Sequence, residues 1–376
     1  MKKRRLIIWG LGYLVSENEN VYSLDRYILD YFMQVARGVD ELEVFIPVPI
    51  SAQILPQYDE FKVTYYSNSR FGVILSGLSL IFKAPRQELF FYMPAGTRIA
   101  PYIPLYKLIA KSISIYLADN PFDFTGKTRL SSVPLVDRLY ILLCNMYLSL
   151  ADRVIARGRS LVSLASEKNR SVFLTSPITQ VKRFEHDYEY CEEARSFKVM
   201  TMSRLAWGKG YKSLLDAFSK FSEELCNWSV ELLIAGDGPD RAEIEEYVAK
   251  LGLDDKIQFL GWLSSEHEKS MLWGEVDVHV LPTITTEGVP RCIDESILHG
   301  VPTIASMVGG IPTEYSKGEV SLYTPGNVAE LADRLVDITK QSNRERLLAK
   351  AQRRVDELLQ MGSAGEQHVE IIYKGQ

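Results

Sequence analysis

Strand-length apolar runs that alternate with helix-length amphipathic segments constrain the fold of this 376-residue chain more than any other feature. Such alternation is typical of a parallel sheet that is covered by helices on both faces. In the first half, the pattern predicts strands at 6–9, 43–47, 88–93, 112–117 and 153–156, and helices at 24–37, 104–111, 135–151 and 160–168.

The same pattern starts again in the second half. It predicts strands at 198–202, 230–235, 257–259, 276–281 and 303–305, and helices at 211–224, 240–251, 267–273 and 290–299. The stretch 183–196 is polar, acidic and aperiodic, and is predicted to be a linker. We therefore predict an α/β chain with Rossmann-like domains at 1–182 and 197–340, followed by a helical segment at 341–376. Packing of this segment against the N-terminal domain is one possible arrangement.

Composition argues for an ordinary globular protein, with 46% hydrophobic and 24% charged residues. The four cysteines are not spaced as C-x-x-C, so no zinc or redox motif is indicated and a reducing, cytoplasmic setting fits best. The start MKKRRLIIWG is interpreted as a basic end followed by a first strand. No uninterrupted apolar run reaches the roughly 18–20 residues of a membrane span.

Charge is distributed unevenly along the chain. Residues 1–180 carry a formal charge of +6 and residues 181–376 a charge of −11. In the first half, basic residues cluster at 2–5 and flank the apolar run 71–82, and Lys107 and Lys111 are predicted to lie one turn apart on a helix. Two interpretations stay open: peripheral attachment to an anionic membrane surface, or a solvated basic tail with 71–82 inside the core.

Glycine pairs follow two of the predicted strands. Gly10 and Gly12 allow a ligand or backbone to approach closely, but Val15 stands where a dinucleotide-binding motif requires its third glycine. Gly236 and Gly238 are interpreted as a tight turn between strand and helix. The sequence Gly126-Lys127-Thr128 is not a P-loop, because Pro121 replaces the first glycine of that motif.

Two cations share a glycine-rich loop after the strand 198–202. Arg204 and Lys209 are five residues apart, at the end of a strand where ligands of α/β proteins bind. Arginine holds phosphate oxygens bidentately and lysine acts as a point charge, so the pair suits a diphosphate. The alternative is two solvated surface cations.

A second loop leads into the helix that Pro290 is predicted to begin. Gly288 and Val289 lie just before its N-terminus, where free amides and the helix dipole favour an anion or sugar oxygens. Glu287 lies on the loop and Glu295 within the helix, and carboxylates accept hydrogen bonds from paired hydroxyls. An N-terminal capping acid and a surface glutamate are the alternative.

Taken in order, M-S-R-L-x-x-G-K-G, A-G-D-G-P, F-L-G-W, L-P-T-x-x-x-E-G-V-P-x-x-x-x-E-S and G-V-P-T-I-A-S-x-V-G-G-I-P resemble family-4 retaining glycosyltransferases with an E-x7-E motif. The resemblance covers about residues 198–312. It implies the GT-B architecture, in which two Rossmann-like domains face each other across a cleft. It also implies retention of anomeric configuration without a metal, and no D-x-D metal motif is present.

The resemblance also implies a role for each matching residue. Arg204 and Lys209 hold the donor diphosphate, and Glu295 holds the ribose. The donor sugar is contacted by Glu287, Gly288, Val289 and Pro290. The base is bordered by Leu260, Gly261 and Trp262. Across the cleft lie Gly10 and Gly12.

One departure concerns the acceptor side. Family members often place a histidine near the cleft in the N-terminal domain, whereas this chain has none before His186. Asp119 is the nearest substitute and is predicted to position or deprotonate the acceptor. Its alternative is a turn residue before Asn120-Pro121. His279 and His299 lie in or beside apolar segments and are interpreted as structural.

The expected activity is sugar transfer from a nucleotide diphosphate sugar to a hydroxyl of a glycan or lipid-linked acceptor, as in polysaccharide biosynthesis. No cofactor, metal or nucleic-acid partner is expected. Three kinds of alternative remain: an epimerase or phosphorylase of the same architecture, a glycosidase using Glu287 and Glu295, and a non-catalytic sugar-nucleotide-binding protein.

Overall fold

The computed structural model describes residues 3–10, 14–18, 21–24, 26–48, 58–67, 69–93, 102–118, 134–175, 183–184, 195–263, 265–285 and 287–374. The chain forms two compact units, each with its own sheet and core. The first comprises Met1–Gln180 together with Met361–Gln376, and the second comprises Val181–Gln360.

A seven-stranded parallel sheet forms the centre of the first unit. Its strands are β1 (Arg5–Trp9), β4 (Glu41–Val48), β5 (Lys62–Ser67), β6 (Glu88–Met93), β7 (Ser112–Leu117), β8 (Arg153–Arg157) and β9 (Val172–Thr175), in the order β5-β4-β1-β6-β7-β8-β9. A separate antiparallel hairpin joins β2 (Leu14–Asn18) to β3 (Val21–Leu24). The central strands are almost entirely buried and mostly apolar, as expected for strands that are covered on both faces.

Helices cover both faces of this sheet. They are α1 (Arg26–Arg37), α2 (Arg70–Lys83), α3 (Ile103–Ile109), α4 (Pro134–Leu150), α5 (Arg159–Ser166) and, from the end of the chain, α13 (Ala364–Lys374). Helices α1 and α13 pack on one face, and α2 to α5 pack on the other. His368 of α13 lies among the rings of Tyr31, Phe90 and Tyr116, and its Nδ1 is 2.8 Å from the Tyr31 hydroxyl.

The second unit repeats this arrangement on a six-stranded parallel sheet. Its strands are β10 (Ser196–Met202), β11 (Ser229–Ala235), β12 (Ile257–Gly261), β13 (Val278–Leu281), β14 (Thr303–Ser306) and β15 (Ser321–Tyr323), in the order β12-β11-β10-β13-β14-β15. Its helices are α6 (Tyr211–Glu224), α7 (Arg241–Leu251), α8 (Glu266–Trp273), α9 (Arg291–Leu298), α10 (Ile311–Glu314), α11 (Val328–Ile338) and α12 (Gln341–Met361).

These two parallel sheets confirm the predicted α/β class. The structure adds strands β5, β9 and β15, the β2–β3 hairpin, and helices α2 and α11, which were not predicted. The additional strands of the two sheets lie at or next to a sheet edge, where a short strand carries a weak apolar signal. Helix α2 is apolar on most sides, so it lacks the contrast that identifies an amphipathic helix.

The basic residues of the first unit differ from the sequence interpretation in two ways. Lys3 and Arg5 both pair with Glu41, and Arg5 is part of β1, so they are not a free tail. Helix α3 ends at Ile109, so Lys111 lies outside the helix that was predicted to carry it together with Lys107. In the described part of the chain, none of the helices has the length and apolarity needed to cross a bilayer.

Candidate active site

The loops at the carboxyl ends of β10, β11, β12 and β13 form one connected layer in the second unit. Gly236 donates its N–H to the Gly261 carbonyl over 2.8 Å, joining the loops after β11 and β12. Leu205 donates to the Asp237 carbonyl over 3.0 Å, and Ile284 donates to the Gly208 carbonyl over 3.1 Å. Parallel strands bring these loops to one edge of the sheet, the usual ligand-binding edge of an open α/β sheet.

Two glycines allow the loops to approach one another this closely. Gly210 ends the 3₁₀ turn Trp207–Lys209 with φ of 79°, and a Cβ there would lie 1.9 Å from the Pro282 carbonyl oxygen. Gly236 has φ of 133°, and a Cβ there would lie 2.1 Å from the Ser203 carbonyl oxygen. Gly236 and Gly238 therefore serve close loop packing, in agreement with their interpretation as a tight turn.

The two predicted diphosphate cations differ in their environments. Arg204 is exposed and has no ion pair among the described residues. Lys209 is part of the 3₁₀ turn, and its Nζ forms an ion pair with the Glu287 carboxylate. Asp240 holds this turn in place by accepting the Trp207 N–H over 2.8 Å. Within the described part of the chain, the loop thus presents one cation without an ion pair and one that Glu287 already neutralises.

Glu287 is held by groups on either side of its loop. Its Oε1 accepts a hydrogen bond from the Thr283 hydroxyl over 3.2 Å in addition to the Lys209 ammonium. Its carbonyl oxygen accepts the Gly310 N–H over 2.8 Å, which joins it to the loop after β14. The structure therefore brings Lys209 and Glu287 together, although 78 positions separate them in sequence.

Helix α9 begins directly after this loop, with Pro290 as its N-cap residue. Gly288, Val289 and Pro290 are buried, so any ligand contact at this position comes from the backbone. Glu295 is half-buried on α9. Burial raises the pKa of the Cys292 thiol, and the Glu295 and Glu287 carboxylates raise it further.

The residues predicted to border the base lie at the end of β12. Leu260 and Gly261 are half-buried, and Gly261 has φ of 72°. Trp262 follows the strand with 57% of its surface exposed. The Arg241 guanidinium is the nearest group to a Cβ added at Gly261, at 3.8 Å. This strand end offers an exposed indole ring and a nearby cation.

The remaining predicted residues lie elsewhere. Gly10 belongs to the first unit, where it follows β1 with φ of 87°. Gly12 and Asp119 lie outside the described residues, and their roles stay predictions. His279 is buried in β13, 3.4 Å from the Thr303 hydroxyl, and His299 stacks on Phe184. These packed positions agree with a structural interpretation.

A buried charged cluster behind α9 was not predicted. Arg354 of α12 binds both carboxylate oxygens of Asp294 over 2.8 Å and also pairs with Glu314 over 2.9 Å. The Tyr315 hydroxyl donates to Asp294 over 3.1 Å. Asp294 immediately precedes Glu295, so this cluster fixes the helix that carries a predicted ligand. In the sequence, Asp294 is an acidic residue that lies between the apolar residues Ile293 and Ile297 of α9.

Residues 196–341 match the family model described as glycosyl transferases group 1. The matched segment contains all the predicted donor-side residues of the second unit, from Arg204 to Glu295.

Curated glycosyltransferases are similar to part of this chain. One is the 2-deoxystreptamine glucosyltransferase of Streptomyces kanamyceticus, with 33% identity over 35% of this chain and 33% of that protein. Another is the lipopolysaccharide 1,6-galactosyltransferase of Escherichia coli, with 28% identity over 37% of this chain and 38% of that protein. The matched part thus spans about a third of the length of these relatives.

Solved structures share the fold along almost the whole chain. Sucrose-phosphate synthase of Thermosynechococcus elongatus superposes with a TM-score of 0.71 and 16% identity over 95% of each chain. HepE of Anabaena, solved in complex with UDP and glucose, superposes with a TM-score of 0.69 and 15% identity over 100% of each chain. These structures confirm the predicted GT-B fold.

Proposed function

We propose that this protein transfers a sugar from a nucleotide diphosphate sugar to an acceptor hydroxyl, with retention of anomeric configuration and without a metal. The observation that carries the proposal is the meeting of Lys209, Glu287 and the N-terminus of α9 on loops at one edge of the second sheet. A cation, a carboxylate and free amides are complementary to the diphosphate and hydroxyl groups of such a donor.

The chemistry follows from where charge develops. The bond between the anomeric carbon and the phosphate oxygen breaks, and a bond from that carbon to the acceptor oxygen forms. Negative charge grows on the leaving diphosphate, where Arg204, Lys209 and the amides before α9 stabilise it. The proton of the acceptor hydroxyl passes to the departing diphosphate, and attack from the same side retains configuration.

The carboxylates take separate parts of the donor in this proposal. Glu287 binds a sugar hydroxyl from its loop, and Glu295 binds the ribose diol from α9. Leu260, Gly261 and Trp262 contact the base. UDP is the first nucleotide to test, because HepE has been solved with UDP and with UDP-glucose.

On the acceptor side, we propose a glycan or lipid-linked acceptor bound by the first unit. Curated relatives that act on lipopolysaccharide support this class. Gly10, Gly12 and Asp119 are the proposed acceptor-side residues, and peripheral attachment to an anionic membrane surface would bring the unit to a lipid-linked acceptor.

The decisive experiment incubates the purified full chain with UDP-sugars, GDP-sugars and ADP-sugars in the presence and absence of glycan acceptors and a membrane lipid extract. Acceptor-dependent release of nucleoside diphosphate, in chelator, and a product with the donor's anomeric configuration by NMR are expected. Acceptor-free conversion of the donor would favour an epimerase. Binding without turnover on any acceptor would favour a sugar-nucleotide-binding protein, and an inverted product or strict dependence on added Mn²⁺ would refute the proposed mechanism.

A further inference from the structure

Three neighbouring helices of the first unit expose large apolar side chains to solvent. Helix α2 packs beside α3, and α3 packs beside α4. Of the fifteen large apolar side chains exposed in the described part of the chain, nine lie on these helices. The most exposed are Phe82 at 86%, Leu108 at 83% and Phe71 at 69%. Monomeric proteins rarely leave such a concentration of apolar surface without a partner.

The exposed side chains are additional to those that the core uses. Val73 and Leu80 of α2 and Tyr106 of α3 are buried against the sheet. Phe71, Leu75, Leu78 and Phe82 recur at helical spacing on the opposite side of α2. The apolar run 71–82 is therefore divided between two environments. One side packs in the core, and the other side faces solvent.

Basic groups border this surface at one end. Lys83 and Lys107 lie in the last turns of α2 and α3, and α2 and α3 contain no acidic residue. Both ammonium groups pair with carboxylates of neighbouring elements, Glu43 and Asp152. Their attraction for an anion is therefore reduced, and burial of apolar surface must supply most of any binding energy.

We propose that this surface, the exposed sides of α2, α3 and α4, docks on an anionic lipid bilayer and lies in the boundary between headgroups and acyl chains. This inference rests on the proposed function, because docking would bring the protein to a lipid-linked acceptor. Apolar side chains enter the boundary, while Lys83 and Lys107 lie level with lipid phosphates. Helices α2 and α3 contain no acidic residue, so the part of the surface that they form is apolar with a basic border, which suits an anionic bilayer.

The test is flotation of the full chain with vesicles of phosphatidylcholine, alone or with roughly one third phosphatidylglycerol. The variant combines Phe71→Ser, Phe82→Ser and Leu108→Ser, and the control combines Met271→Ser and Leu359→Ser on exposed positions of the second unit. We expect wild type and control to float with the anionic vesicles, and the triple variant to lose at least about tenfold in apparent affinity. Binding of wild type should weaken only moderately in high salt.

Two further measurements separate the possible failures. The affinity for UDP without lipid and the thermal midpoint should be the same in the triple variant and wild type, because these side chains are outside the core and the donor site. Wild-type flotation of the triple variant would overturn the proposal. A second result would also overturn it: a wild type that is dimeric and does not bind vesicles, together with a triple variant that is monomeric. The surface would then join two copies of the chain. Vesicle binding without any sugar transfer would refute the proposed function and leave the docking surface standing.

Discussion

At the scale of single residues, the ion pair between Lys209 and Glu287 distinguishes this site from a simple cluster of phosphate-binding cations. The diphosphate that Lys209 is proposed to bind must share that ammonium with Glu287 or displace it. Exposed Arg204 has no such competitor among the described residues. The two cations should therefore contribute unequally to nucleotide affinity.

Lys209→Ala is expected to weaken UDP binding more than Arg204→Ala. Removal of Lys209 also leaves the Glu287 carboxylate without its cation beside the proposed diphosphate, and removal of a partly desolvated charge partner costs roughly 2–5 kcal/mol. Isothermal titration with UDP measures the difference. Lys212→Ala is the control, because Lys212 pairs with Asp216 away from the site. Equal affinity for UDP in wild type and both site variants would contradict the diphosphate assignment.

Glu287→Gln and Glu295→Ala should separate turnover from nucleotide binding. Neutralising Glu287 frees Lys209 for the diphosphate, so UDP affinity should stay the same or rise while kcat falls at least about tenfold. Glu295→Ala should weaken UDP binding itself, because the ribose loses its carboxylate. Steady-state kinetics and titration with UDP test both, and the opposite pattern would assign the two carboxylates the other way round.

At the scale of elements, the loops that carry the proposed donor residues were predictable because these residues follow strands and begin helices. Strands β6 and β7 have the predicted bounds, since each is a mostly apolar run that a polar residue, Gln87 or Lys111, precedes. Asp294 could not be predicted as a buried ion-pair partner, because its partner Arg354 lies 60 positions away. The sequence left the position of α13 open, with packing on the first unit as one arrangement, since only long-range contacts determine which unit a helix joins.

Arg354→Met should destabilise the second unit by about 3–5 kcal/mol, because it leaves Asp294 and Glu314 buried without their cation. Although burial disfavours the charged form, those carboxylates raise the pKa of Arg354, so it is charged in the folded state. Urea unfolding measures the loss, with Arg346→Met on the exposed side of α12 as control. UDP affinity should also fall, because α9 carries Glu295. An unfolding free energy equal to wild type would show that the cluster does not stabilise α9.

At the scale of the whole molecule, each unit buries a histidine. Burial lowers the pKa of His279 in the second unit and of His368 in the first to about 3. Each imidazole titrates near pH 6.5 in the unfolded chain, so between these values the unfolded state binds more protons. The stabilising contribution is complete above about pH 6.5 and is lost as pH falls below it.

The free energy of unfolding should therefore decline below about pH 6.5, approaching 1.4 kcal/mol per pH unit for each histidine. His368→Leu should flatten this slope for the first unit. Loss of the hydrogen bond to Tyr31 changes the free energy of unfolding but not its dependence on pH. His267→Leu is the control, because His267 is exposed on α8. Denaturation between pH 5 and 8 measures the slopes. An unchanged slope in His368→Leu would show that His368 does not carry the acid sensitivity.

The return of α13 to the first unit has a consequence for biosynthesis. The ribosome adds roughly 5–20 residues per second, and early domains usually fold while later ones are still being made. Here Ala364, Val369 and Ile372 belong to the core that Leu6, Phe32 and Val44 begin. Leu6, Phe32 and Val44 are thus synthesised long before the residues of α13 that complete their core. A nascent chain should therefore expose part of that core to chaperones until translation has passed residue 372.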